Sequence, residues 1–361
     1  MSKKPSTIPA PYCDRVSRVR AEMNRRKLDG YLIQNRMDQY WLTGFTGEDG
    51  YVLVTSRQVV LLTDGRFDEA AAVECPWARK VLRKVRTPDK TAAEINKYKV
   101  QRIGFDPDHL TVGEFTGLRK ALKPATFTAS SELVLGMRLC KDASEIAAIT
   151  AAIRVSERAF KKVERWVKPG MTEREIGAKL LYEMQRLGAQ DASFPSIVAC
   201  GANASLPHYE PGDGVVKKNE GILIDWGVRM NWYVSDLTRM IYPGSIPREI
   251  AKIHAIVKES HDKAIAFVKP GVTAHEVDNV ARRVIDKAGY GKTFQHATGH
   301  GIGLDVHEAP RIGKGTNTKL EAGMVITIEP GIYLPGKGGV RLEDDVLVTE
   351  TGCEVLSTLP C

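Results

Sequence analysis

The sequence contains no run of eighteen apolar residues, so nothing in it reads as a membrane span. It also has little cysteine. Cys13, Cys75, Cys140, Cys200, Cys353 and Cys361 are scattered, and no two form a CxxC pair. In a chain of this size that spacing points to reduced thiols and a cytosolic setting, not a disulfide framework. The opening MSKKPSTIPAPYC has positive charge but lacks the apolar centre of a secretory signal. Strong compositional bias is absent too: 43% apolar and 27% charged residues describe an ordinary soluble globular protein. At 361 residues, two domains are expected, with enough apolar side chains for a core that needs no disulfide or structural metal.

Charge is present but uneven. Residues 1–140 carry 24 Lys+Arg against 16 Asp+Glu, and the remainder carries 28 of each, so the whole net charge of +8 lies in the first part. Much of the excess falls between Arg79 and Arg102. No stacking aromatics interleave it and no nucleic-acid motif accompanies it, so it reads as a solvated face with no nucleic-acid partner.

The first part mixes helix and strand signals. Arg15 to Lys27 reads as a charged helix ended near Asp29-Gly30. YLIQ, YVLVTS and VVLLTD are short β-rich runs bounded by turn residues, and Asp64-Gly65-Arg66-Phe67 leads into an Ala-rich helix. A long helix follows from about Asp142 to Val167, with Ile146, Ile149, Ile153 and Phe160 at core-facing spacing. The domain boundary is expected just before it, giving domains 1–138 and 139–361. No membrane association is expected of either.

The second part repeats itself. VKPGMTEREI (Val167–Ile176) recurs as VKPGVTAHEV (Val268–Val277), with Pro-Gly-x-Thr feeding a helix and Glu175 and Glu276 placed for capping boxes. Each helix is followed by a hairpin carrying two acids. The first, GILIDWGVRMNWYVSDLTRMIY, holds Asp225 and Asp236, with a turn expected at Met230-Asn231. The second, MVITIEPGIYLPGKGGVRLEDDVLV, holds Glu329 and Glu343 about the turn-forming PGKGG. Within each hairpin the two acids are expected to face one another. Directly opposed strand residues have Cβ atoms ~5 Å apart, and like charges there destabilise a hairpin unless a cation intervenes. Four acids in two matched hairpins therefore call for more than one divalent cation. Trp226 and Trp232 lie between the two acids of the first pair, where they would shape its pocket.

A site dominated by carboxylates suits Mn²⁺, Co²⁺, Zn²⁺ or Fe²⁺ better than a thiolate site does. Two such ions ~3.5–4 Å apart activate a bridging water for hydrolysis of an amide-like bond. The stretch HATGHGIGLDVHE, His296 to Glu308, supplies three histidines. Its glycines argue against a helix, and it has no lysine to make a phosphate loop. Spacing alone does not choose among His296, His300 and His307.

The motifs IDWG, SDLTR, ATGHGIGLDVHE, TIEPGIY and GGVRLEDD resemble those of the pita-bread metallopeptidases of the creatinase and prolidase kind, nearest to Xaa-Pro aminopeptidases and Xaa-Pro dipeptidases. LDGYLIQNRMDQYWLTGF and TDGRFDEAA resemble that family's N-terminal domain. The resemblance implies an α/β fold: an N-terminal creatinase-like α/β domain with a mixed sheet, then a pita-bread α+β domain with a pseudo-twofold repeat. It implies two divalent ions per chain, Mn²⁺ foremost, held by Asp225, Asp236, His300, Glu329 and Glu343. Asp236 and Glu343 would bridge, Asp225 would complete one ion, and His300 and Glu329 the other. Glu329 would also handle the proton of the attacking water. His307 would stabilise the developing oxyanion. His208 would face the proline side and His296 would support the site. Arg341 would hold a carboxylate of the site or of the substrate, with Tyr333 a weaker candidate. Short proline-containing peptides as substrates and a cytoplasmic homodimer complete what the resemblance implies.

Two other classes compete with the metallopeptidase: a metal-free creatinase-like hydrolase and a non-catalytic binding module. The five intact ligand positions argue against both. A methionine aminopeptidase is disfavoured because about 135 residues precede the catalytic part. Dipeptidase and aminopeptidase share these motifs, and the aminopeptidase is preferred here.

Overall fold

A computed structural model describes residues 8–84 and 87–361 of the chain. The readings made on the first seven residues and on Val85 and Arg86 lie outside these. The chain divides into two compact units, one up to Met137 and the other Arg138–Cys361.

In the first unit, β1 (Gly30–Ile33), β2 (Tyr51–Thr55), β3 (Val59–Thr63), β4 (Arg79–Leu82), β5 (Arg102–Phe105) and β6 (Thr126–Ala129) form one sheet. Its order is β4-β3-β2-β1-β5-β6. The β1–β2 and β2–β3 pairs are antiparallel and the others parallel, so the sheet is mixed. The parallel pairs need crossovers, which helices supply. Helices α1 (Tyr12–Arg25), α2 (Arg36–Thr43), α3 (Asp68–Glu74), α4 (Pro88–Asn96) and α5 (Val112–Ala121) intersperse the strands, and α6 (Leu133–Arg138) follows. Buried Leu32, Leu53, Val60, Leu62, Ile95, Ile103 and Leu118 make one apolar cluster between sheet and helices.

The basic stretch of this unit is not simply a solvated face. Arg83 is buried, pairs with Asp49 at 2.9 Å and lies over the Tyr51 ring. A buried guanidinium needs a carboxylate close by, and Asp49 provides it.

The second unit is built twice. α7 (Ala143–Trp166) and α8 (Glu173–Arg186) precede the first hairpin; α9 (Arg248–Phe267) and α10 (Ala274–Lys287) precede the second. Both repeat segments form the expected capping boxes. Thr172 with Glu175, and Thr273 with Glu276, satisfy each other's orphan backbone and side-chain groups. Thr172 bridges to Val215 and Thr273 to Lys319. Glu173 N–H bonds the Gly214 carbonyl and Ala274 N–H the Thr318 carbonyl, both at 2.9 Å. The matching contacts show that the sequence repeat is a structural one.

The first half contributes β7 (Asp191–Ala192), β8 (Ile197–Cys200), β9 (Ile222–Trp226), β10 (Val228–Met230), β11 (Tyr233–Val234) and β12 (Leu237–Ile241). The second contributes β13 (Gly299–Gly301), β14 (Glu308–Ile312), β15 (Val325–Ile328), β16 (Gly331–Leu334), β17 (Gly338–Arg341), β18 (Asp344–Val348) and β19 (Cys353–Val355). The central three-stranded sheet runs β12-β9-β8 and its five-stranded counterpart β14-β13-β15-β18-β19. Packed helix faces cover the five-stranded sheet: Ala264, Val277 and Ala281 lie against Ile326, Ile328 and Val346. Asp225 thus sits on β9, and Asp236, Glu329 and Glu343 each lie one residue from the end of a buried strand, β12, β15 and β18.

Candidate metal centre

The first acidic hairpin turns one residue later than expected. Arg229 pairs with Val234 and Met230 with Tyr233, so Asn231 and Trp232 form the turn, both with positive φ. Asp225 therefore stands opposite Thr238, not Asp236. The register moves by two, and side chains alternate with a period of two. Asp225 and Asp236 are offset along the hairpin instead of directly opposed.

The second hairpin behaves differently. Ile328 pairs with Asp344 on one side and Gly331 with Arg341 on the other. Both registers place Glu329 opposite Glu343, about a turn in which Gly336 has φ +72°.

The two halves meet at these acids. Glu343 N–H reaches the Thr238 carbonyl at 3.3 Å, and the Thr238 hydroxyl donates to Glu343 Oε2 at 2.7 Å. His300, on the short strand β13, donates from Nδ1 to the Gly301 carbonyl at 3.0 Å. Its Nε2 lies 3.7 Å from Asp236 and 3.5 Å from Glu329. Ligand atoms of Asp236, His300 and Glu343 all fall within 4.8 Å of one another. Close backbone approach permits this. A Cβ on Gly299 would sit 1.9 Å from the Thr327 carbonyl oxygen.

Arg341 ties the remaining acid into the group. Its Nη2 donates to Asp225 Oδ2 at 2.6 Å and its Nε to the Thr238 hydroxyl at 3.1 Å. Its Nη1 donates to the Tyr333 hydroxyl at 2.8 Å, and that hydroxyl donates to His296 Nε2 at 2.8 Å. Of the two carboxylates considered for Arg341, the structure pairs it with the site's own. Tyr333 links Arg341 to His296.

The electrostatics fit a cation site. Burial, then the nearby Glu343 and Asp225, push Asp236 well above the usual carboxylate range. Burial, then Glu329 and Asp225, do the same to Glu343. Glu329 is pushed up to about 8, chiefly by burial. Burial holds His300 down to about 4 and His296 to about 3, so both are neutral imidazoles at pH 7. A neutral His300 that donates from Nδ1 keeps the Nε2 lone pair for a metal. The Oδ1 atoms of Asp225 and Asp236 are buried and accept no hydrogen bond. Arg341 bonds only one of the four carboxylates, Asp225, and the two orphan oxygens are groups that a divalent cation would satisfy.

A cavity of about 600 Å³ opens onto this group. Asp225, Asp236, His300, Glu329 and Glu343 line it, as do His208, His296, His307 and Arg341. His307 is exposed, its ring 4.5 Å from that of His300 in an edge arrangement. Phe194, Pro195, Ile197, Pro207 and Val306 form apolar parts of the wall. The five candidate ligands, the three other candidate histidines and Arg341 come together here, with Tyr333 behind them on His296 and Arg341.

Trp226 and Trp232 do not line the cavity. Trp226 is fully buried, stacks on Phe160 at 4.3 Å and donates to the Ser156 carbonyl. It is a core residue, and Trp232 is spent on the turn. Two residues of the site went unread. Arg311, exposed, lines the cavity eleven positions beyond His300. Glu308 is buried, pairs with Arg138 and, at 3.1 Å, Lys141, and accepts the backbone N–H groups of Leu304 and Asp305. It folds the turn that presents His307. A charged residue directly after a candidate catalytic histidine was the available signal for it.

The chain belongs to metallopeptidase family M24, whose model matches residues 147–350. The creatinase/prolidase N-terminal domain matches residues 15–140. The enzyme is therefore a hydrolase that works with divalent metal. It is 33% identical to a Xaa-Pro dipeptidase of Pyrococcus horikoshii, over 95% of this chain and 97% of that one. Among solved structures, the Xaa-Pro dipeptidase from Bacillus anthracis superposes with a TM-score of 0.93 at 35% identity, covering 97% of this chain and 98% of that one. The X-Pro aminopeptidase from Thermotoga maritima superposes at 0.88 with 36% identity, covering 94% and 98%. Among the described residues, no helix is long and apolar enough to cross a membrane.

Proposed function

We propose that this enzyme hydrolyses the bond between an N-terminal residue and a following proline. The observation that carries the reading is the cavity itself, where an apolar wall of Phe194, Pro195, Ile197, Pro207 and Val306 adjoins the acid cluster. The prolyl nitrogen is a tertiary amide with no N–H to offer. An apolar wall suits its ring and demands no hydrogen bond from it. The similar enzymes of Pyrococcus horikoshii and Bacillus anthracis are Xaa-Pro dipeptidases, which supports the same reading.

In this proposal residues 1–138 are an N-terminal domain and 139–361 the catalytic one. Asp225, Asp236, His300, Glu329 and Glu343 would together hold two divalent ions, Mn²⁺ foremost. Such ions lower the pKa of water and polarise a carbonyl. Glu329, whose carboxyl already favours the proton, takes it from the attacking water and returns it to the departing prolyl nitrogen. His307 donates to the carbonyl oxygen as negative charge develops there. Arg341 keeps Asp225 ionised and oriented. His296 and Tyr333 brace Arg341 from behind, and His208 borders the proline. The working form is a cytoplasmic homodimer acting on short proline-containing peptides.

Substrate length divides the proposal. The sequence favoured an aminopeptidase. Arg311 supports the dipeptidase, because a cation in the same cavity can meet the free carboxylate that Xaa-Pro presents and a longer peptide does not. The test is hydrolysis of Xaa-Pro and Xaa-Pro-Yaa peptides after reconstitution with Mn²⁺, Co²⁺, Zn²⁺ and Fe²⁺. Cleavage at Xaa-Pro with any of these supports the proposal; none with all four overturns it.

A further inference from the structure

Among the described residues, a second group of metal-capable side chains lies apart from the acid cluster: His261, Asp344 and Cys361, with their ligand atoms within 4.8 Å of one another. They come from α9, from β18 and from the last residue of the sequence. Arg239 brings them together. Its Nη2 donates to Asp344 Oδ1 at 2.6 Å and to the Leu359 carbonyl at 2.7 Å, and its Nε to the Pro360 carbonyl at 3.0 Å. The Ser357 hydroxyl also donates to Asp344 Oδ1.

With Oδ1 taken up in this way, Asp344 Oδ2 pairs with His261 Nε2 at 3.1 Å and accepts the Cys361 thiol hydrogen, Sγ lying 3.4 Å away. The His261 side chain is only 3% exposed, yet its Nε2 makes no well-directed hydrogen bond. An imidazole, a carboxylate and a thiol thus converge on one buried point, where a cation could take the place of the thiol proton.

We propose that His261 Nε2, Asp344 Oδ2 and Cys361 Sγ form a separate metal site for a borderline-soft divalent ion, Zn²⁺ or Co²⁺. Tetrahedral zinc, with Zn–N and Zn–O of about 2.0–2.2 Å and Zn–S of about 2.3 Å, places its donors roughly 3.3–3.6 Å apart. The observed 3.1 and 3.4 Å separations are close to that spacing. Binding forms a metal–sulfur bond and releases the thiol proton to solvent. A cleft of about 340 Å³, lined also by Lys258, Asp262 and Ser357, offers an entry path and room for a water as fourth ligand.

The donor set distinguishes this site from the catalytic one. Thiolate with imidazole favours zinc or cobalt, whereas a carboxylate-dominated cluster accepts Mn²⁺. The two can hold different ions in one chain. The ion would also reach the catalytic strand: Asp344 follows Glu343 directly, and Arg239 donates to the Glu343 carbonyl as well. Its role is structural, pinning residues 359–361 and the strand that begins just after Glu343.

The experiment uses the full chain loaded with Co²⁺. The acid cluster contains no sulfur, so a near-ultraviolet sulfur-to-cobalt charge-transfer band reports this site alone. The expected result is that band in the wild type, with Cys361→Ser and His261→Gln abolishing it and each binding one cobalt ion fewer per chain. Peptide hydrolysis should persist in both variants. Absence of the band from the wild type overturns the proposal, as does its survival in Cys361→Ser. The wild-type spectrum decides even if a variant fails to fold.

Discussion

The Thr238 hydroxyl donates to Glu343 Oε2 at 2.7 Å while accepting from Arg341 Nε at 3.1 Å, and so joins the two halves of the catalytic unit at one oxygen atom. Thr238 also stands opposite Asp225 across the β9–β12 pair. It touches or neighbours three groups of the centre without being a ligand. Groups that orient ligands in this way typically govern metal affinity by 10–100-fold. Thr238→Val keeps the shape and removes both hydrogen bonds. Metal affinity, measured by titration of the stripped enzyme, should fall by about 10–100-fold. An unchanged affinity would show that Glu343 needs no such support.

Removing the metal should reverse the usual effect of pH on stability. Asp236, Glu329 and Glu343 all have raised pKa values in the folded chain, chiefly through burial. Such acids take up protons on folding. The stabilisation that these three acids give the stripped protein is therefore complete below the unfolded carboxyl pKa, ~4. That contribution is lost as the pH rises toward the folded value, about 8 for Glu329. Bound cations take the place of those protons. Melting temperature should fall between pH 5 and pH 8 with chelator present, and the fall should disappear when metal is restored. Equal melting of the stripped enzyme at both pH values would refute this account.

The sequence carried the metal centre further than it carried its detailed geometry. PGKGG marks its turn plainly, so Glu329 and Glu343 could be set opposite one another by counting. Asn231-Trp232 hid its turn, because a left-handed Trp is an unusual choice and Met230-Asn231 looked as good. The resulting error of two in register kept both aspartates on the same face, so the inference of a cation survived it. The contacts between halves were not legible at all. Thr238 with Glu343, and Arg341 with Asp225, lie more than a hundred residues apart. Local pattern describes a strand's faces but does not say which distant strand it meets. Trp226 shows the same limit: proximity in sequence to an acidic ligand suggested the pocket, while packing on Phe160 placed it in the core.

Glu308 offers a test of how the histidine loop is held. Burial opposes its charge, but Lys141 and Arg138 hold its carboxyl down to about 2. Glu308→Gln strands buried Lys141 without a carboxylate and leaves Arg138 with the more exposed Asp305, at 2.9 Å, which should cost about 3–5 kcal/mol of stability. It should also lower the turnover number by loosening His307. Denaturant titration measures the first and steady-state kinetics the second. Adding Lys141→Met removes the stranded charge and should recover part of the stability. The depressed pKa also sets a window in acid. Its stabilisation is complete above the unfolded value, ~4.3 for Glu, and is lost as the pH falls toward 2. Failure of the double variant to recover any stability would show that the ion pairs are not the source.

Arg311 is the residue on which substrate length should turn. It is exposed within the cavity, whereas Arg341 is buried and committed to Asp225. A charge-assisted bond from a guanidinium to a substrate carboxylate is worth about 1.5–3 kcal/mol. Arg311→Ala should therefore reduce kcat/KM for Xaa-Pro by roughly 10–100-fold, mostly through KM, and leave Xaa-Pro-Yaa nearly unaffected. Arg311→Lys should restore part of the loss, as a point charge without the paired geometry of a guanidinium. The comparison is made by steady-state kinetics on matched di- and tripeptides. Equal losses on both would assign Arg311 to the cavity's shape. No loss on either would place the dipeptide carboxylate elsewhere and return the preference to the aminopeptidase.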